Sequence, residues 1–148
     1  MRVLVIGVLL GWLSPTLAGQ PLTEYQPPLD EGLRARLQAA DSRAGEAFFA
    51  RKCAQCHDAA ADGIDFTGPL LWNVVNRPIA AREGFNYSAA MRAINGRWDL
   101  ATLDYYLADT KRAIPGRSMN FGGISDAELR ASVLLYLRSL SDAPEPLP

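Results

Sequence analysis

Five consecutive residues combine the side chains with the most distinctive chemistry in this chain. They read Cys53-Ala54-Gln55-Cys56-His57 and hold both cysteines and the only histidine of the 148 residues. Thiols at this spacing lie about one helical turn apart, so each can add to one vinyl group of the same haem. The adjacent imidazole then reaches the iron from the same side. The motif predicts one covalently attached haem c, with His57 as an axial iron ligand.

Three other chemistries use two nearby cysteines. A thioredoxin-like redox pair normally follows a strand, whereas residues 44–52 favour a helix. A structural zinc ion needs four ligands, and no fourth accompanies the two cysteines and the histidine. A disulfide between Cys53 and Cys56 would close a loop too short to gain much from chain entropy. The haem interpretation is preferred, and thiol–disulfide exchange is the rival that predicts no covalent haem.

The second axial ligand cannot be a histidine of the same chain, because His57 is the only one. A methionine thioether is the other common partner of an axial histidine, and it raises the reduction potential. Met1 lies in a segment expected to be removed, which leaves two methionines. Met91 lies in a helical pattern typical of core packing, whereas Met119 lies in an irregular segment rich in Pro and Gly. The loop position favours Met119, with Met91 as the alternative.

Two helices are expected to position the haem motif. Residues 44–52 lead into it, and residues 126–140 carry an apolar stripe at helical spacing. The two can cross closely at Gly45, which has no side chain. The crossing would be filled by Phe49, Val133 and Tyr136. A further amphipathic helix begins after Asp99 and would form one wall of the haem site.

The two ends of the chain are expected to lie outside the haem domain. Residues 1–19 combine Arg2, an apolar run over 3–13 and small residues before the end, which predicts a cleaved secretory signal peptide and a periplasmic protein. The run has about half of the roughly 20 residues that a membrane-spanning helix needs. An uncleaved anchor is therefore the less favoured alternative, and no stable membrane insertion is expected after cleavage.

The remaining boundaries follow from proline content and apolar spacing. Residues 20–43 begin with several prolines and end with Leu33 and Leu37 at helical spacing, which predicts an N-terminal extension acting as a linker or a partner arm. Residues 44–141 are expected to form the haem domain. Residues 142–148 contain three prolines and are expected to form a disordered tail.

Charge and composition exclude two classes of function. The chain has 15 Lys and Arg against 16 Asp and Glu, with Lys52 and Lys111 as its only lysines, so a nucleic-acid binder with a basic face is not expected. No second histidine is available as a general base, and no catalytic constellation is recognisable. The sequence therefore predicts a protein that is not an enzyme.

Landmarks on both sides of the haem motif occur in a characteristic order. They are Gly45, Phe49, Thr67-Gly68-Pro69, Arg77, Tyr87, Trp98, Tyr106, Ile114-Pro115-Gly116, Met119, Phe121, Val133 and Tyr136. With Cys53, Cys56 and His57, this order resembles the class I cytochromes c, in particular the mitochondrial and bacterial c2-like group. The resemblance covers residues 44–141. It implies an all-α class I cytochrome c fold, with three to five helices wrapped around one covalently bound haem.

The resemblance also implies roles for residues around the haem. The Pro69 carbonyl would accept the second ring N–H of His57 and fix its tautomer. The haem propionates, which are anions in a low-dielectric site, would be bound by Arg77, Tyr87 and Trp98.

On the other side of the haem, Tyr106 would donate toward the sulfur of Met119 and tune the potential, and Phe121 would cover the exposed haem edge. The chain departs from the family pattern after the Pro-Gly pair, where it has Arg117 and Ser118 instead of Thr and Lys.

The function implied is a soluble periplasmic one-electron carrier with axial ligands His57 and Met119. Its partners would be a membrane oxidase, a cytochrome complex or a periplasmic dehydrogenase, docking at the haem edge near Lys111, Arg112 and Arg117. Two alternatives remain open: a dedicated electron-acceptor subunit of a periplasmic dehydrogenase, and a haem ligand sensor or peroxidase in which Met119 is labile.

Overall fold

A computed structural model describes residues 19–148. The expected signal peptide lies, except for its last residue, outside the described residues. Within the described part the chain forms six helices: α1 Glu31–Ala39, α2 Ser42–Lys52, α3 Ala89–Arg92, α4 Leu100–Ala108, α5 Thr110–Ala113 and α6 Ala127–Ser139. The same part contains one isolated β-bridge, between Pro78 and Arg97, so the all-α prediction is confirmed. None of the helices in 19–148 has the length and apolar character that crossing a bilayer requires.

Each of these helices begins with a polar side chain that accepts a hydrogen bond from a backbone N–H of the first turn. The capping residues of α1 to α6 are Asp30, Asp41, Ser88, Asp99, Asp109 and Asp126. An N-cap satisfies a backbone donor that the helix itself cannot pair. Helix starts are therefore fixed locally, by residues that the sequence displays.

The expected close crossing of α2 and α6 is present in the structure. A Cβ atom placed on Gly45 would lie 2.0 Å from the backbone oxygen of Ser132, so only glycine allows this approach. Beside it the rings of Phe49 and Tyr136 pack with centroids 5.3 Å apart, and Val133 is 1% exposed. Because α2 runs directly into Cys53, this contact positions the haem motif.

The segment 20–43 differs from the expected linker or partner arm. It forms α1, whose Leu33 and Leu37 are buried in the core, with Leu37 0% exposed. Upstream of α1, Leu22 is also buried and its N–H donates to the carbonyl of Ala113 at 2.8 Å. Burial of these three leucines favours the packed segment, together with the backbone hydrogen bonds of α1 and the hydrogen bond from Leu22 to Ala113.

The expected disordered tail begins with a residue that makes specific contacts. The carboxylate of Asp142 accepts hydrogen bonds from the Trp72 indole, at 3.2 Å, and from the Asn73 amide. At the far end, Gln38 of α1 donates to the carbonyl of Pro148 at 3.3 Å. The tail is exposed for most of its length, yet in the structure it returns to the domain at both ends.

An almost completely buried ion pair joins α4 to α6. Arg130 donates to Asp104 at 2.7 Å and, through a second nitrogen, to the carbonyl of Ile124 at 2.7 Å. The N–H of Ile124 in turn donates to the carbonyl of Leu107 at 2.7 Å. A buried charge requires such partners, because leaving either group unpaired is costly. The pair fixes the end of the loop that contains Met119.

Replacing Gly45 with alanine is expected to lower the free energy of unfolding by about 3 kcal/mol, because the added methyl group forces two helix backbones apart. The measurement is urea unfolding of the purified protein. Gly32→Ala in α1 is the control, since its Cβ would meet only side-chain atoms, Arg36 at 3.3 Å and Asp30 at 3.4 Å. The control should be neutral or stabilised by up to about 1 kcal/mol. Equal effects of the two substitutions would contradict the close crossing.

Candidate haem site

The haem motif begins where α2 ends. Cys53 is the C-cap residue of α2, and its carbonyl accepts hydrogen bonds from the N–H groups of Cys56 and His57, both at 3.0 Å. This compact turn keeps the two thiols and the imidazole on one short segment. Both cysteines are half-buried and unbridged.

The surroundings of the cysteines disfavour redox chemistry of the thiols. Burial, reinforced by the neighbouring Cys56, raises the pKa of Cys53 to about 11. Thiol–disulfide exchange needs the thiolate, which a raised pKa makes scarce at neutral pH. Within residues 19–148 no three His, Cys, Asp or Glu side chains come together to hold a metal ion, so the zinc alternative has no ligand set there.

The imidazole of His57 is held by a backbone carbonyl. Its Nδ1 lies 2.7 Å from the oxygen of Pro69. With the proton on Nδ1, the ring donates to that carbonyl and Nε2 keeps its lone pair. Burial lowers the pKa of His57, and this outweighs the opposing effect of the Pro69 hydrogen bond. A neutral imidazole with a free Nε2 is the form that binds a metal.

Gly68 forms a wall against the same ring, a role that the sequence does not reveal. A Cβ atom on Gly68 would lie 2.3 Å from Cε1 of His57 and 2.7 Å from each ring nitrogen. The N–H of Gly68 donates to the carbonyl of Cys56 at 2.8 Å, which ties the two segments together. The contact joins residues 11 positions apart, and no local pattern in the sequence indicates it.

Met119 lies in the irregular segment between α5 and α6. The hydroxyl of Tyr106, on α4, donates to the sulfur of Met119 at 3.8 Å, the contact expected from the sequence resemblance. Burial raises the pKa of Tyr106 to about 12, so this hydroxyl keeps its proton at neutral pH. Its ring packs against Trp98, with centroids 5.0 Å apart. Met91, the alternative ligand, lies in the single turn of α3.

The structure brings together the three residues expected at the haem propionates. The backbone N–H of Trp98 donates to the backbone carbonyl of Arg77 at 2.9 Å, which places the two residues side by side. Tyr87 lies close enough to Arg77 for the guanidinium charge to counteract the rise in the Tyr87 pKa that burial causes. Arg77 itself donates to the carbonyl of Leu70 at 3.0 Å, while its Nε is buried and makes no hydrogen bond within residues 19–148.

This donor set fits a covalently bound haem. Two thiols stand beside an imidazole with a free nitrogen, and a thioether is held on a separate segment. Arg77 is partly buried and its Nε is an unused buried donor, which is suited to bind an anionic carboxylate because charge-assisted hydrogen bonds to carboxylates are strong. Because Arg77 lies close to Tyr87 and Trp98, a propionate bound there would pair this donor.

Arg117, expected near the docking site, makes hydrogen bonds within the segment that carries Met119. Its guanidinium donates through Nε to the hydroxyl of Thr110 at 2.7 Å and through Nη2 to the carbonyl of Phe121 at 3.3 Å. These hydrogen bonds orient the guanidinium toward the Thr110 hydroxyl and the Phe121 carbonyl. Lys111 and Arg112, the other two expected docking residues, are exposed. Phe121 is half-buried and packs against the hydrophobic core.

Comparison with known proteins agrees with a covalent haem site. The Cytochrome c family profile matches residues 42–141. Among relatives, a cytochrome c homolog of Bradyrhizobium diazoefficiens is 41% identical over 119 residues, 80% of this chain and 64% of that protein. The cytochrome c-type cyt cy of Rhodobacter capsulatus is 42% identical over 100 residues, 68% of this chain and 49% of that protein. The chain thus spans about two thirds and one half of the lengths of these two relatives.

A shorter relative and a solved structure match over most of their own length. Cytochrome c2 of Rhodomicrobium vannielii is 39% identical over 99 residues, which are 67% of this chain and 78% of that protein. The structure of cytochrome cH from Methylobacterium extorquens matches with a TM-score of 0.63 and 35% identity, over 68% of this chain and 99% of that one. With a profile match over most of its length and a haem motif at Cys53, Cys56 and His57, the chain belongs to the cytochrome c family, whose members carry covalently attached haem c.

Proposed function

We propose that the protein is a one-electron carrier whose haem iron is bound by Nε2 of His57 and the sulfur of Met119. The observation that carries this proposal is that both candidate ligands are oriented by hydrogen bonds of the fold. Pro69 holds the ring of His57 at 2.7 Å, and Tyr106 contacts the sulfur of Met119 at 3.8 Å. When bound, the haem supplies an iron that gains and loses one electron.

The residues around the ligands set the conditions for that exchange. The Pro69 carbonyl increases the basicity of the imidazole by accepting its Nδ1 proton. A thioether ligand favours the ferrous state and so raises the reduction potential. The Tyr106 hydroxyl, which stays protonated, withdraws electron density from the sulfur of Met119 and acts in the same direction. Arg77 compensates the charge of a haem propionate inside the protein.

We further propose that the carrier is exported to the periplasm and exchanges electrons with redox proteins there or at the membrane. The support is the signal-like pattern of residues 1–19, which combines a positive residue, a short apolar run and small residues at its end. The residues that carry this pattern precede the described part of the chain.

Partner docking is proposed to involve the two exposed cations of α5, Lys111 and Arg112. This helix immediately precedes the segment that carries Met119. The Arg112 guanidinium lies over the ring of Tyr105, 5.4 Å from its centroid, which restricts its position. Two exposed positive charges on the helix before the Met119 segment would steer an acidic partner toward the site.

The proposed ligation predicts that carbon monoxide leaves the visible spectrum of the reduced protein unchanged. The reason is that a six-coordinate low-spin iron held by His57 and Met119 offers no free position. The measurement compares spectra of the dithionite-reduced holoprotein before and after addition of the gas. A shifted spectrum would contradict the closed iron and favour ligand sensing or peroxide chemistry. Absence of covalent haem in the mass spectrum would contradict both the electron carrier and these haem alternatives.

Gly68→Ala is expected to displace the imidazole of His57 from its hydrogen bond to Pro69. The methyl group would overlap the ring, so the visible spectrum should gain a high-spin component, and the unfolding free energy should fall by about 1–3 kcal/mol. Gly122→Ala is the matched control, because nothing lies within 4 Å of a Cβ there. If both variants keep the wild-type spectrum, the wall formed by Gly68 does not position the ligand.

The docking proposal predicts a salt-dependent loss of rate when the cations of α5 are removed. In the K111Q/R112Q variant, oxidation of the ferrous protein by ferricyanide, an anionic probe, should slow by about two- to fivefold at low salt. The difference should disappear near 1 M salt, where the screening length is about 3 Å. R43Q, which removes an exposed charge from the first turn of α2, is the control. Because R43Q removes one charge and the double variant two, slowing in R43Q by half as much on a logarithmic scale would indicate a net-charge effect instead of a docking surface.

A further inference from the structure

The loop that carries Met119 is closed by one side chain. Arg117 and Phe121 flank Met119 at two positions on either side, and the Arg117 guanidinium donates to the carbonyl of Phe121 at 3.3 Å. A bond between these two positions limits how far the chain between them can open. The methionine thus lies at the apex of a short hydrogen-bonded loop.

This loop is anchored to the fold through Thr110, the first residue of α5. Thr110 is 0% exposed, and its hydroxyl accepts from Nε of Arg117 at 2.7 Å while donating to the carbonyl of Phe121. Its backbone N–H also donates to the carbonyl of Gly122 at 3.2 Å. One buried residue therefore contacts the loop on both sides of Met119.

We propose that Arg117 is a positioning residue that keeps Met119 on the iron by closing its loop onto Thr110. This inference rests on the proposed axial ligation. For Met119 to leave the iron, the loop must move, and the hydrogen bonds among Arg117, Thr110 and Phe121 oppose that movement. The planar guanidinium suits this role, because it presents several donors in a fixed geometry, whereas a lysine ammonium is a single flexible point charge.

Arg117 also lies near Tyr106, the residue whose hydroxyl contacts the methionine sulfur. The charge of Arg117 lies near Tyr106, where it partly counteracts the rise in the Tyr106 pKa caused by burial. Arg117 is thus close both to the loop that carries Met119 and to the hydroxyl that donates to its sulfur. The hydrogen bonds of this side chain are made within the segment that carries Met119 and to its anchor Thr110.

The test is the rate at which imidazole binds to the ferric holoprotein, since imidazole can enter only when Met119 leaves. We expect R117Q to bind imidazole about tenfold faster than the wild type, which corresponds to about 1.4 kcal/mol. R43Q removes the same charge from an exposed position in the first turn of α2 and should bind at the wild-type rate. R117K keeps the charge but not the fork of donors, and it should resemble R117Q.

Variants of the anchor give a second, independent readout. T110V removes the hydroxyl and should also accelerate imidazole binding, and T110S, which restores it, should return the rate to the wild-type value. Combining T110V with R117Q should add little, because both remove one network. Hydrogen exchange of the Thr110 amide, which bonds to the carbonyl of Gly122, should become faster in R117Q but not in R43Q.

The outcomes separate this inference from the proposed function. A wild-type protein that already binds carbon monoxide at once has no closed iron, and the proposed ligation then fails whatever Arg117 does. If the wild type is closed and R117Q and T110V both bind imidazole at its rate, the positioning role of Arg117 is overturned. A fall in unfolding free energy without faster imidazole binding also overturns the positioning role. The hydrogen bonds of Arg117 would then stabilise the fold without holding Met119 on the iron.

Discussion

The close crossing of α2 and α6 is the contact on which the haem site depends. At Gly45 the two backbones approach within a distance that no side chain permits, and the rings of Phe49 and Tyr136 fill the space beside it. Because α2 ends in the Cys53 turn, its position fixes both thiols and the imidazole of His57. Displacing this helix by the width of a methyl group would therefore move the whole attachment motif.

The other side of the site is built from shorter elements and held by polar contacts. The segment between α5 and α6 has no regular structure around Met119, so its path depends on hydrogen bonds to buried groups. Thr110 and Arg117 hold its middle, and the ion pair of Arg130 with Asp104 holds its end at Ile124. Buried polar networks of this kind specify one arrangement, because each unpaired member would be costly.

The two sides of the site also set the protonation states of different groups. Near the motif, burial keeps the ring of His57 neutral, and the Pro69 carbonyl accepts the Nδ1 proton so that Nε2 stays free. Near the opposite face, burial keeps Tyr106 protonated as a donor. Between them Arg77 retains a buried donor without a protein partner in the described part of the chain. These states together suit a cofactor with a soft metal centre and an anionic rim.

The sequence by itself determined the features that depend on local chemistry. The haem motif, the helix caps at Asp99 and Asp126, the glycine at the crossing and the loop character of Met119 are all visible in neighbouring residues. Tertiary structure alone decided the features that join distant positions. It packed the leucines of 20–43 into the core, set Gly68 against His57 and turned Arg117 inward to Thr110 and Phe121. An arginine that extends into solvent and one that bonds within the fold look alike in sequence, because only the folded chain fixes which acceptors come within hydrogen-bonding distance.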